Sequence, residues 1–152
     1  MSLRAQLDAV LLAAMKAGDR RTAEVVRMLK TRVTQRRDWA RRPDVDQEAL
    51  MRETIVDYRN QMQRALRVYA SYGSAGEEHA DQLVFEIAFC ERYIPELLSE
   101  TELRAVVAER AASLPSGPGR RVERLIAAVL ETHADRVLPE DVRRVATEIV
   151  GS

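Results

Sequence analysis

The chain has 152 residues, 46% hydrophobic and 32% charged, with 24 Lys+Arg against 24 Asp+Glu and a formal net charge of zero. That length supports a real core, burying roughly 70% of the unfolded surface, while no apolar run approaches the ~20 residues of a membrane span. Cys90 as the single cysteine excludes an intrachain disulfide, and Met1-Ser2-Leu3-Arg4 lacks the features of a signal peptide, so a reduced, cytoplasmic setting is expected.

Only six glycines occur, and Ala, Leu, Arg and Glu are abundant, which points to an all-α protein. Helix 1 is predicted from about Leu3 to Ala17, with Ser2 as N-cap and Leu3, Leu7, Val10, Leu11, Ala14 and Met15 on one face. Gly18 suits the positive-φ position that ends a helix, and Asp19 suits the cap of the next, so Met15-Lys16-Ala17-Gly18-Asp19 reads as a tight helical hairpin joint. Helix 2 is predicted from Arg20 to about Asp38 on the stripe Thr22, Val25, Val26, Leu29 and Val33. At 100° per residue Arg20, Arg27 and Lys30 fall opposite that stripe, with Arg21 and Arg32 on a flank. Arg36, Arg37, Arg41 and Arg42 carry the basic character through Trp39 to Pro43.

Helix 3 is predicted from the Asp46 cap to about Tyr72, where Met51, Ile55, Tyr58, Met62, Ala65, Tyr69 and Tyr72 make a heptad seam. Helix 4, about Glu77 to Tyr93, repeats the spacing in Leu83, Ile87, Cys90 and Ile94, which makes an antiparallel hairpin the simplest arrangement. Phe85 and Phe89 fall off that seam, so helix 4 is apolar almost all round and is either sandwiched internally or covered by a protein partner. Tyr93-Ile94-Pro95 ends the helix, and Ser99 with Glu102 forms a capping box for helix 5. Residues 115–119 are the sharpest breaker cluster. Helix 6 follows on Val122, Leu125, Ile126, Val129 and Leu130, and helix 7 opens with Pro139 in its first turn. The expected organisation is an N-terminal helical domain over 1–95 and a small three-helix domain over 96–152.

Charge is unevenly spread along the chain. Residues 1–72 hold 15 Lys+Arg against 9 Asp+Glu, and residues 73–152 hold 9 against 15. Arg supplies 22 of the 24 cations, a bias that a G+C-rich genome produces without any function. No phosphate loop, dinucleotide fingerprint or nucleophile elbow is present. His79 and His133 lack metal-site spacing, Cys90 reads as a buried hydrophobe, and Glu77 and Glu78 complement the dipole of helix 4. No catalytic residue, metal or cofactor is expected. Two features suit a polyanion. One is the basic face of helix 2 and its continuation: Arg20, Arg27, Lys30, Arg37 and Arg41, beside a Trp39 that is either core ballast or a stacking platform. The other is Ser116-Gly117-Pro118-Gly119-Arg120-Arg121, where backbone N–H groups open a helix next to the guanidinium groups of Arg120 and Arg121.

Met15-Lys16-Ala17-Gly18-Asp19 with Arg27-Met28-Leu29-Lys30 resembles the start of GatB/YqeY proteins. Tyr93-Ile94-Pro95 followed by Leu98-Ser99-Glu100-Thr101-Glu102-Leu103 is similar to their Tyr-Leu-Pro and Leu-Thr/Ser-x-x-Glu-Leu junction. The last third departs from the family: Pro118-Gly119-Arg120-Arg121-Val122 replaces a Met-Gly-Lys-Val-Met run, and Glu131-Thr132-His133-Ala134-Asp135-Arg136 replaces a Lys-Gly-x-Ala-Asp-Gly turn. The resemblance implies an all-α protein of two helical domains. It is similar to the tail of the B subunit of tRNA-dependent amidotransferases, which engages tRNA apart from the catalytic cradle. With no cradle, glutaminase or ammonia channel, the expected role is a non-catalytic module that binds tRNA, although the family label is that of a carbon–nitrogen ligase. The alternative is a protein-interaction module using Phe85 and Phe89. A free-standing amidotransferase is a third reading.

Overall fold

The computed structural model describes residues 1–39, 46–115, 117 and 119–151, with side chains omitted at 38 and 39. Among them are seven α-helices and one short 3-10 helix, with no strand. The helices are α1 (Leu3–Ala17), α2 (Arg20–Trp39), α3 (Gln47–Ala70), α4 (Glu77–Cys90), α5 (Glu100–Ser113), α6 (Arg121–His133) and α7 (Pro139–Val150). The chain divides into two compact units, Met1–Ile94 and Pro95–Ser152.

In the first unit, α1 begins where the Ser2 hydroxyl accepts from Ala5 N–H at 3.1 Å, and it stops at Gly18, whose φ of 71° only glycine adopts readily. The Asp19 carboxylate then accepts from Thr22 N–H at 3.2 Å, so α2 starts with no intervening loop. Asp46 caps α3 through bonds from Glu48 N–H and Ala49 N–H at 2.9 and 3.3 Å. The N-terminus of α1 is tied to that of α3, because the Leu3 N–H donates to the Glu48 carboxylate at 2.9 and 3.0 Å. Helix α3 packs against α4, α2 and α1. The core collects Leu3 and Leu7 from α1, Val25, Val26, Leu29 and Val33 from α2, Met51, Ile55 and Tyr58 from α3, and Phe89 and Cys90 from α4.

Three expectations about this unit need correction. The α3 seam is buried at Met51, Ile55 and Tyr58 but runs out toward the C-terminus, and Tyr72 is 56% exposed. Helix α3 ends at Ala70, because Gly73 takes positive φ and residues 73–76 tighten into a 3-10 turn. Helix α4 ends at Cys90 rather than near Tyr93. Residues Arg92 and Tyr93 instead bond back three positions, to Phe89 and Cys90, as the chain approaches Pro95, which disfavours helical backbone at Ile94. The apolar surround of α4 resolves as internal packing for Phe89, which is 4% exposed in the core, with Phe85 half-buried beside it.

Helix α3 also buries polar side chains that no apolar stripe announces. Thr54, Arg59 and Asn60 are 2%, 0% and 6% exposed. Thr54 returns its hydroxyl proton to the Leu50 carbonyl at 2.7 Å, and Arg59 Nε donates to Asn60 Oδ1 at 2.9 Å. The Tyr58 hydroxyl donates to Glu86 at 2.9 Å, which joins α3 to α4 by a polar bond within the apolar layer.

The second unit is held by Leu103, Val107, Leu125, Ile126, Val129, Val137, Val142, Val145 and Ala146. Its start is the capping box read from the sequence: Glu102 N–H donates to Ser99 Oγ at 3.2 Å, and Ser99 N–H donates to the Glu102 carboxylate at 2.9 Å. Pro139 occupies the first turn of α7, where its missing N–H has no bond to make. Across the outer surface Glu100 accepts both bonds of the Arg144 guanidinium at 2.8 and 2.9 Å and one from Arg104 at 3.1 Å. Arg104 reaches on to Glu148 at 2.6 Å. The flanking guanidinium groups, Arg144 first, hold the Glu100 carboxyl down at about 2.

Candidate nucleic-acid interface

Helix α2 presents seven cations, and the structure sorts them by partner. Lys30 pairs with Asp8 of α1 at 2.5 Å, and Arg36 pairs with Asp57 of α3. Both are largely neutralised within their own unit. Arg21 donates to the Gln82 side chain at 2.9 Å and to the Asp81 carbonyl at 3.4 Å, and its guanidinium lies 4.1 Å above the Phe85 ring. Arg32 donates to Gln61 at 2.6 Å, with its guanidinium 4.8 Å from the Tyr58 ring centre. Those partners fix the two side chains without a carboxylate, so both keep their charge. Arg20 and Arg27 are exposed and have no ion pair among the described residues. Arg37 is half-buried and engaged.

Three recesses gather these groups, one of them, of about 420 Å³, lined by Met28, Thr31, Arg32, Gln35 and Arg36. At the α1–α2 corner, Ala14, Met15, Gly18, Asp19, Arg20, Ala23, Glu24 and Arg27 line an open depression of about 450 Å³. Where α1, α2 and α3 meet, a smaller cleft of about 110 Å³ brings together Arg4, Lys30 and Arg37 with Thr34 and Gln47, over Val33 and Met51. Arg20 and Arg27 therefore share one recess, and Lys30 and Arg37 share another. Arg41 and the side chain of Trp39 lie outside the described residues, as do Arg42, Pro43, Ser116 and Pro118.

The second sequence-level site belongs to the other unit. Arg120 is exposed at the N-cap of α6 with φ 51°, no side chain caps the helix, and Arg121 is its half-buried first residue. Glu123 already occupies the first turn, where a negative charge complements the helix dipole. Arg143 grips it at 2.7 and 2.9 Å and holds its carboxyl below the usual range. Arg124 folds back over the loop, donating to the carbonyls of Pro115 and Gly117 at 3.4 and 3.2 Å. Acidic and basic groups thus meet at this helix start.

Grouping charge by folded unit rather than by sequence half reduces the asymmetry. Residues 1–94 hold 16 Lys+Arg against 14 Asp+Glu, a surplus of +2, and residues 95–152 hold 8 against 10, a deficit of −2. The acids of α4 and its end, Glu77, Glu78, Asp81, Glu86 and Glu91, lie in the same unit as the basic helix. What distinguishes α2 is therefore local: at one corner Arg20 and Arg27 are exposed and make no ion pair among the described residues, although Asp19 and Glu24 line the same recess.

Other candidate chemistry is quiet. His79 stacks on Tyr69 with centroids 4.7 Å apart, and His133 Nδ1 sits 2.8 Å from the Thr132 hydroxyl oxygen. Burial in an apolar layer pushes the Cys90 thiol up to about 12, with the Arg59 guanidinium opposing that shift only in part. Burial also raises the Tyr58 phenol, aided by its bond to Glu86. Among the described residues no group of three His, Cys, Asp or Glu side chains is placed to hold a metal, and no helix is long and apolar enough to cross a membrane.

Sequence reasoning missed Asp8 and Asp57 as neutralising partners and Arg59 as a buried cation. Asp8 was accessible: with the hairpin turning at Gly18-Asp19, antiparallel register sets positions about 10 before the turn beside positions about 11 after it, which pairs Asp8 with Lys30.

An all-α protein of two helical units, with two exposed arginines that make no ion pair among the described residues at one corner of its second helix, is the class that fold and site define. A family description, "Yqey-like protein", matches residues 4–150, and the chain belongs to that family. No curated protein matches it.

Proposed function

We propose that this YqeY-like chain is a non-catalytic module that binds RNA, specifically tRNA, through the α1–α2 corner of its N-terminal unit. The carrying observation is that Arg20 and Arg27 stand exposed without ion pairs among the described residues, while Arg21 and Arg32 are braced by neutral groups and retain their charge. Guanidinium groups in that state displace counterions from phosphate, and the resulting affinity falls as salt rises. The narrowing from polyanion to tRNA comes from the resemblance of the sequence to amidotransferase tail domains. A cytoplasmic setting belongs to the same reading. The alternative of a protein contact through Phe85 and Phe89 is less supported, because Phe89 would have to leave the core and Phe85 already lies beneath Arg21.

The test is tRNA binding by the full chain across a salt series, with Arg20, Arg27 and Lys30 together changed to Glu. The native protein is expected to lose affinity steeply between low and physiological salt, and the triple variant to bind weakly with a salt slope smaller by about two to three. Absence of binding at low salt, or equal binding by the variant, refutes the reading.

A further inference from the structure

The depression at the α1–α2 corner mixes groups that a plain phosphate-gripping face does not need. Its floor is small and apolar, with Ala14 and Ala23 only 5% and 3% exposed, and Met15, 56% exposed, stands beside them. Nothing lies within 4 Å of where a Gly18 Cβ would stand, so that side is open. Arg20 and Arg27 line the same recess, seven positions and therefore about 10 Å apart along the axis of α2. Between them in sequence comes Glu24, exposed and without a bond or ion pair among the described residues. Neither Arg20, four positions before it, nor Arg27, three positions after it, pairs with Glu24 among the described residues, which leaves that carboxylate available. Asp19 is the second acid, and the Thr22 hydroxyl first and the Thr22 N–H second hold it below the usual carboxylate range.

Two carboxylates in the recess repel phosphate, so they weaken a surface that holds only a backbone. Their chemistry suits something else. A carboxylate accepts from the exocyclic amine of a base, an apolar floor takes the face of a base, and guanidinium groups hold the phosphates on either side. Duplex RNA cannot offer all three at once, because its bases are paired and stacked. We propose that the depression seats one unpaired nucleobase carrying an exocyclic amine. Glu24 accepts from that amine, Ala14, Ala23 and Met15 contact the ring, and Arg20 and Arg27 hold the flanking phosphates. This rests on the RNA-binding reading and narrows it to single-stranded segments.

Short oligocytidylate and oligouridylate of equal length separate the two ideas, since uracil has no exocyclic amine while both strands carry the same phosphates. With the full chain at fixed low salt, fluorescence anisotropy is expected to show oligocytidylate bound about five- to tenfold more tightly, the value of one hydrogen bond to a charged acceptor at an exposed site. Glu24→Ala, a surface change that leaves the helical circular dichroism intact, erases that preference and at the same time tightens oligouridylate, because a repulsive charge is gone. A merely structural role for Glu24 moves the two strands alike and leaves the gap between them. A native preference within twofold, a preference that survives in Glu24→Ala, or a duplex bound as tightly as oligocytidylate overturns the inference and leaves the basic corner as a backbone binder. Absence of binding to every RNA overturns the underlying reading as well.

Discussion

Gly76 closes the α3–α4 hairpin by proximity rather than by an unusual dihedral angle. A Cβ added there would stand 2.3 Å from the Tyr69 carbonyl oxygen, 3.1 Å from its carbon and 3.3 Å from Tyr72 Cβ, where ordinary contact starts at 3.4 Å. The Gly76→Ala variant must therefore open a gap of about 1.1 Å against the last turn of α3, and the obstacle is backbone rather than a side chain that can rotate aside. Overpacking in a well-packed site costs about 1–3 kcal/mol, and a backbone obstacle places this change near the upper end. Gly73→Ala is the natural control. That position has φ 64° with nothing within 4 Å, so its penalty is the left-handed conformation alone, about 1 kcal/mol. Urea denaturation of both variants, followed by helical circular dichroism, is expected to separate them by about 2 kcal/mol, or about 30-fold in the folded-to-unfolded ratio. Gly76→Ala no more destabilising than Gly73→Ala would refute the claim that the hairpin is closed by backbone approach.

Three further outcomes follow from the same geometry. Because Arg144 and Arg104 hold Glu100 at about 2, below its unfolded value, the folded state gains stability from that carboxylate at neutral pH and loses it as pH falls from about 4.5 toward 2; Glu100→Gln should flatten that part of a melting-temperature profile, and an unchanged profile would count against the network. Cys90, fully buried with its thiol pushed up to about 12, should resist a disulfide exchange reagent at pH 8 until the chain is unfolded, whereas rapid native-state labelling would contradict its placement. Asp8→Asn releases Lys30 from its ion pair and should steepen the salt dependence of tRNA binding by about one, a change absent if Lys30 does not face the ligand.

Much of the architecture was legible because local chemistry settles it. Ser2, Gly18, Asp19, Asp46, Ser99 with Glu102, and Pro139 each satisfy or end a particular backbone hydrogen-bonding requirement within a few residues. The hydrophobic stripes of α2 and α6 supplied core positions for the same reason, as did that of α1 apart from the exposed Met15. The ends of α3 and α4 were harder, since periodicity continues through Tyr72 and Ile94 while the backbone has already changed conformation. Arg59 was unreadable from periodicity: it lies off the seam, and its burial follows from α3 being packed by α4 on one side and by α1 and α2 on another. At the candidate site, helical projection found Arg20 and Arg27 correctly as outward residues. It gave Lys30 the same status because an ion pair to Asp8, 22 residues away, depends on how two helices align.

The polar bond between α3 and α4 limits how those helices are able to slide. A heptad pattern is indifferent to shifts of seven residues, since each shift presents a fresh set of apolar side chains to the neighbouring groove. Moving α3 by one heptad would bring Met51 or Ala65 to the place of Tyr58, whose hydroxyl donates to Glu86 of α4 at 2.9 Å, and neither replacement offers that carboxylate a donor. The Tyr58–Glu86 bond thereby acts as a registration mark, and the repeat that makes α3 sticky is kept from docking out of step.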